Sequence, residues 1–162
     1  RRLYEHFSNY NYHLFNTFVF GWESDVFCIS KSGYAAEIEI KISKSDFKID
    51  FLKTTINGLN KHDYLLSEKT QKPNKFYFAC QAGLIQPNEI CEKYGLLWIE
   101  GYNVRVKKEA KFLHKNNILN DKHILKQLMN KFYYRHLDLA RCNDVRIAEV
   151  KFGLRKLDFS RY

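Results

Sequence analysis

The chain has 162 residues, 45% of them apolar, with 27 Lys and Arg against 18 Asp and Glu, seven Gly and two Pro. That length suits one domain with a substantial core, for which Tyr and Phe together supply 24 side chains. So few Gly and Pro argue against linkers and low-complexity tails, no run approaches the roughly 18 apolar residues of a membrane span, and no signal-peptide pattern follows the opening Arg1-Arg2-Leu3-Tyr4-Glu5.

The first residue is not Met, which leaves a missing or processed N-terminus open. Cys28, Cys80, Cys91 and Cys142 are widely spaced, without a Cys-x-x-Cys pair, and several lie in apolar runs. Reduced thiols in a cytoplasmic, reducing compartment are the expectation. The net charge of +9 is unevenly distributed. Residues 1–102 carry 12 basic and 12 acidic side chains, whereas 103–162 carry 15 and 6. A basic segment beside a neutral body points to a polyanion partner, although many such segments are only solvated faces.

In chain order, residues 3–13 read as a helix and 15–20 as an extended entry strand. Residues 25–30 form the next strand, and Lys31-Ser32-Gly33-Tyr34 is turn material, with Gly33 available for positive φ. Residues 36–42 alternate with period two, as expected of a strand returning antiparallel. Ser43 or Ser45 can cap a helix over 46–56, and a second helical piece covers 59–66. Residues 75–80 are apolar enough for a strand buried on both faces, and 87–94 is a loop or short helix. Two strands at 95–99 and 104–106 flank a turn at Asn103. From 121 to 139, Ile124, Leu125, Leu128, Met129, Phe132 and Tyr133 recur at helical spacing as a packing stripe. The order predicts an α/β domain, a mixed central sheet flanked by helices.

Glu39 and Lys41 are two apart on a strand and so share a face. A hairpin about Gly33 returns Glu39 beside Asp25, and two carboxylates converging near an ammonium make a sensible site for a hard divalent cation. Alternating Glu and Lys is equally what a solvated strand face shows, so the pattern by itself reaches only a candidate acidic metal site.

Asp25, a turn, then Glu39-Ile40-Lys41 resembles the D…(D/E)-x-K signature of the PD-(D/E)XK nuclease superfamily. More narrowly, Glu39-Ile40-Lys41-Ile42-Ser43-Lys44-Ser45-Asp46-Phe47, then Asp50, Asn74-Lys75-Phe76-Tyr77-Phe78-Ala79 and Tyr94-Gly95-Leu96-Leu97 is similar to the MmcB-like DNA-repair branch, over roughly residues 20–112. The resemblance implies a restriction-endonuclease-like core over residues 1–112, to which charge and helical spacing add a basic helical C-terminal extension, 113–162, packed on the same domain. It implies metal ligation by Asp25, Glu39 and the main-chain carbonyl of Ile40, with Lys41 as the catalytic lysine. Mg²⁺ is the expected ion, with Mn²⁺ as a substitute. Glu23-Ser24 precedes Asp25, so the literal proline of the signature is absent. Members often place a Glu in the first helix, where Glu5 is the candidate; Glu23 and Glu37 have the right parity, and His62 sits where helix residues often face the cleft.

Lys44 and Lys48 beside the E-x-K strand, Lys61, and the run Lys107, Lys108, Lys111 and Lys115 are the candidate phosphate contacts. The activity implied is Mg²⁺-dependent hydrolysis of DNA, structure-selective or non-specific, in repair, recombination or mobile-element and phage DNA processing. The alternative is a non-catalytic nucleic-acid-binding or assembly protein that keeps the nuclease fold. A homodimer is compatible with either, and no membrane association is expected.

Overall fold

The computed structural model describes residues 2–7 and 10–152. Within them, β1 (Tyr10–Phe18), β2 (Glu23–Ser30), β3 (Ala35–Lys41), β4 (Lys75–Gln81), β5 (Gly95–Glu100) and β6 (Asn103–Lys108) form one mixed sheet in that order. The β3–β4 and β4–β5 pairs are parallel, and the rest are antiparallel. Helices α1 (Arg2–His6), α2 (Lys44–Asp50), α3 (Lys61–Leu66) and α4 (Lys122–Phe152) complete the described elements. The α/β architecture expected from the sequence is what forms.

Alternation divides the core into two layers. Val26, Cys28, Ala36, Ile38, Tyr77 and Ala79 meet Leu3 of α1 and Phe7 just beyond it on one face. Phe76, Phe78 and Cys80 meet Phe47 of α2, Leu65 of α3 and Trp22 on the other. Parallel β3 and β4 require a crossover, and α2 and α3 provide it on the second face. Glu37, Glu39 and Lys41 have the parity of that face, opposite Phe76, Phe78 and Cys80 in register.

Several boundaries differ from those predicted. The helix expected over 3–13 ends at His6, because Tyr10 onward pairs with β2. Ser43 caps α2 by accepting the Asp46 N–H at 3.1 Å, while Asp46 accepts the Ile42 N–H at 3.0 Å. The helix ends at Asp50 instead of 56, as the β-branched pair Thr54-Thr55 turns to other partners, Thr54 bridging to Asn60. The Gly33 turn forms with φ +77°, a conformation costly for residues with Cβ. The last hairpin turns at Gly101, φ +55°, before Asn103.

The chain divides after Leu125, within α4, into two compact units. Residues 113–125 belong to the first unit. The Leu113 N–H donates to the Asn74 carbonyl, and Ile118 N–H to the Gly33 carbonyl. In the second unit, Met129, Phe132 and Tyr133 of the expected packing stripe are exposed. The end of the expected extension, 153–162, lies outside the described residues. Among those residues no helix is long and apolar enough to cross a membrane, and all four cysteines are free.

Candidate functional site

Glu39, near the C-terminal end of β3, has no exposed surface. Its carboxylate receives three ammonium groups. Lys61 donates to Oε1 at 2.6 Å, and Lys53 and Lys41 to Oε2 at 2.9 and 3.2 Å. Burial alone would raise its pKa, and Asp50 adds to that. The Lys61 charge, with hydrogen bonds from Lys61 and Lys53, outweighs both and holds the carboxyl below its usual value.

Asp25 lies one residue beyond the Val26–Ile38 pair and therefore faces Glu39 across the strands. Its Oδ2 accepts the Ile40 N–H at 2.7 Å, which ties the start of β2 to the end of β3. Burial raises the Asp25 pKa and the Glu39 charge adds to it, against the Ile40 N–H, Lys41 and Lys53. The three D…E-x-K side chains thus meet on one face.

The crossover gathers Asp50, Lys61 and His62 around Glu39 and Lys41 and adds Lys53, which sequence patterning had not singled out. Asp50, at the end of α2, has no exposed surface and accepts from Lys41 at 2.6 Å and Lys53 at 2.8 Å through Oδ1. His62 Nε2 lies 2.9 Å from its other oxygen, and His62 Nδ1 lies 3.0 Å from the Tyr94 hydroxyl. Burial would raise Asp50, but His62, Lys61, Lys41 and Lys53 together hold it far below the ordinary aspartate range. Glu37 takes Trp22 Nε1 at 2.8 and 3.0 Å and Lys61 at 2.9 Å. Burial and the Glu39 charge nevertheless keep its pKa raised. The local traces of this network were the Glu37-x-Glu39-x-Lys41 alternation and the Asp50-x-x-Lys53 spacing; the remaining partners are far apart in sequence.

Of the other expected residues, Glu37, Lys61 and His62 join this network and the rest stand apart from it. Glu5 is on α1, which covers the opposite face of the sheet, so it does not join the cluster. Glu23 is exposed at the start of β2. His62 is buried between the Phe51 and Phe78 rings and engaged by Asp50 and Tyr94, so it is no surface phosphate contact. Lys61 is fully buried and cannot be one either. Lys108 donates to the carbonyls of Pro87, Ile90 and Cys91. Lys111 pairs with Glu92 and Lys44 with Glu89. Lys48 and Lys115 are exposed, as is Lys107, whose ammonium lies 4.5 Å from the Trp98 ring centroid.

Among the described residues, no group of three or more His, Cys, Asp or Glu side chains stands in a metal-holding arrangement. The oxygen donors available to a cation are the Asp25 and Glu39 carboxylates and main-chain carbonyls at the β3 end. That set fits a hard divalent ion that retains several waters. An extended residue directs its N–H and C=O to the same edge, so the Ile40 carbonyl faces the Asp25 side with the N–H that Asp25 accepts.

No family model and no curated protein matches this chain. Among solved structures it is similar to a protein of unknown function from Silicibacter pomeroyi. The TM-score is 0.53 at 16% identity, covering 91% of this chain and 84% of the other. At that identity the similarity speaks for the fold alone.

Proposed function

We propose that this chain is a divalent-metal-dependent deoxyribonuclease with a PD-(D/E)XK-type core, hydrolysing phosphodiester bonds in DNA. The observation that carries the reading is the meeting of Asp25, Glu39 and Lys41 at the C-terminal end of β3, where Lys41 Nζ is 3.2 Å from Glu39 and Asp25 is bonded to the strand at Ile40. In open α/β sheets, ligands collect outside the carboxyl ends of strands, and the same end holds this cluster. Asp25, Glu39 and the Ile40 carbonyl would hold Mg²⁺ or Mn²⁺.

When bound, such an ion supplies Lewis acidity toward a phosphate oxygen and a more acidic water. The protein's own contribution is a fixed field. Lys41 is held between Glu39 and Asp50, so its ammonium needs no reorganisation to offset negative charge growing on a phosphate. Asp50 acts on Lys41 as a positioning residue and is itself gripped by His62.

The test is cleavage of single-stranded, duplex and branched DNA with Mg²⁺, Mn²⁺ or chelator. Asp25→Asn retains an acceptor for the Ile40 N–H and should cut at least about 100-fold more slowly with its circular dichroism unchanged. Glu39→Gln and Lys41→Met should do the same. Undiminished cleavage by all three would rule the reading out. One observation favours a non-catalytic nucleic-acid-binding or assembly protein instead, namely that both Glu39 oxygens already carry ammonium partners. That protein would bind DNA equally well with chelator and cut none.

A further inference from the structure

The three lysines around Glu39 are not equivalent. Lys61 is fully buried between Glu37 and Glu39, and Lys41 is 2% exposed between Glu39 and Asp50. Lys53 reaches the same two oxygens as Lys41, Glu39 Oε2 at 2.9 Å and Asp50 Oδ1 at 2.8 Å, but from the solvent side, with its side chain 39% exposed. It duplicates the partners of Lys41, so its departure leaves both carboxylates compensated.

We infer that Lys53 is a tethered counter-ion, docked on Glu39 in the metal-free protein and displaced when a divalent cation takes that oxygen. The inference rests on the cation reading above and adds to it a residue that controls occupancy of the site. A cation on Glu39 Oε2 and a docked Lys53 ammonium would place like charges within a few ångströms of each other, which the burial of Glu39 makes costly. Lysine is suited to yield, being a compact charge on a flexible stem. It also has somewhere to go. With Phe18, Trp22, Glu23 and Ile56 it lines an adjoining cavity of about 260 Å³.

Charge bookkeeping points the same way. Asp25, Glu37, Glu39 and Asp50 are faced by Lys41, Lys53 and Lys61. A divalent ion added to the intact set overshoots neutrality by one charge, whereas exchange for Lys53 restores balance. The released ammonium stays tethered at the rim, where a phosphate group would approach.

Two measurements on the full chain test this. In the first, Mn²⁺ affinity is measured by calorimetry for the wild type, Lys53→Gln, Lys53→Arg, Asp25→Asn and Lys31→Gln, an exposed turn lysine that controls for net charge. Lys53→Gln should tighten binding by about tenfold, Lys53→Arg and Lys31→Gln should stay within about twofold of wild type, and Asp25→Asn should weaken it. In the second, amine labelling of the wild type read by mass spectrometry should show Lys53 becoming more reactive at saturating Mn²⁺. Unchanged affinity in Lys53→Gln, or unchanged labelling of Lys53, while Asp25→Asn still weakens binding, overturns this inference alone. No Mn²⁺ binding by the wild type overturns it together with the cation reading.

Discussion

Asp50 accepts from two lysines and faces His62, all without exposed surface of its own. A carboxylate in that position stabilises the fold only while it is ionised. Its pKa in the folded protein lies below the ordinary aspartate value of 3.8. The stabilisation is therefore complete above that value and is lost as pH falls below it toward the folded value. Glu37 and Asp25, whose values are raised, contribute with the opposite sign. Asp50→Asn should melt well below the wild type near neutral pH, and the gap between the two should narrow below about pH 4. A melting gap that stays constant across the acid range would show that Asp50 is not held ionised by its neighbours.

Asn74 ties elements together just before β4. Its Oδ1 accepts the Ala35 N–H at 2.7 Å at the start of β3, and its Nδ2 donates to the carbonyls of His114 and Asn116 at 3.0 and 2.8 Å. Its own carbonyl receives Leu113 N–H. One fully buried amide thus sets where parallel β3 and β4 begin and fastens the segment after β6 beneath the Gly33 turn. Asn74→Ala strands these buried groups without partners and should cost about 2–4 kcal/mol in urea denaturation. A loss below roughly 0.5 kcal/mol, the size of a neutral surface change, would mean that water replaces the amide there. The same segment explains why residues 113–125 belong to the first unit although their charge suggested an extension. Four hydrogen bonds shared with Asn74 and Gly33 bind them to the sheet's strand ends.

For the molecule as a whole, the net charge of +9 overstates the surface free for a polyanion. Lys61 is buried, Lys108 caps three carbonyls, and Lys44 and Lys111 are paired with glutamates. If the chain binds DNA as proposed, the salt response of that binding should reflect the lysines left exposed. Lys115→Gln should reduce the slope of log affinity against log salt by about one. Lys108→Gln should leave that slope unchanged and lower thermal stability. A binding constant indifferent to salt would exclude phosphate contacts by this basic surface.

The strands were legible because burial on a pleated sheet writes period two into the chain, and the Gly33 turn is short enough to place Asp25 beside Glu39 without further information. The Asp25, Glu39 and Lys41 set was therefore readable from local pattern. Helix ends were read less well. Residues after Asp50 and from Tyr10 onward take partners outside a helix, Thr54 at Asn60, Ile56 N–H at the Gly21 carbonyl and β1 along β2, which propensity does not register. The fate of the charges was decided by tertiary structure alone. Lys61 reads as a surface lysine by composition, and becomes a buried counter-ion because the crossover carries α3 over the face that Glu37 and Glu39 occupy. A side chain's own residue type sets its charge, but its partners depend on which elements the fold stacks on that face. Apart from the Asp50–Lys53 pair, the partners of Asp50, Lys53 and Lys61 come from the crossover's path and not from neighbours in the chain.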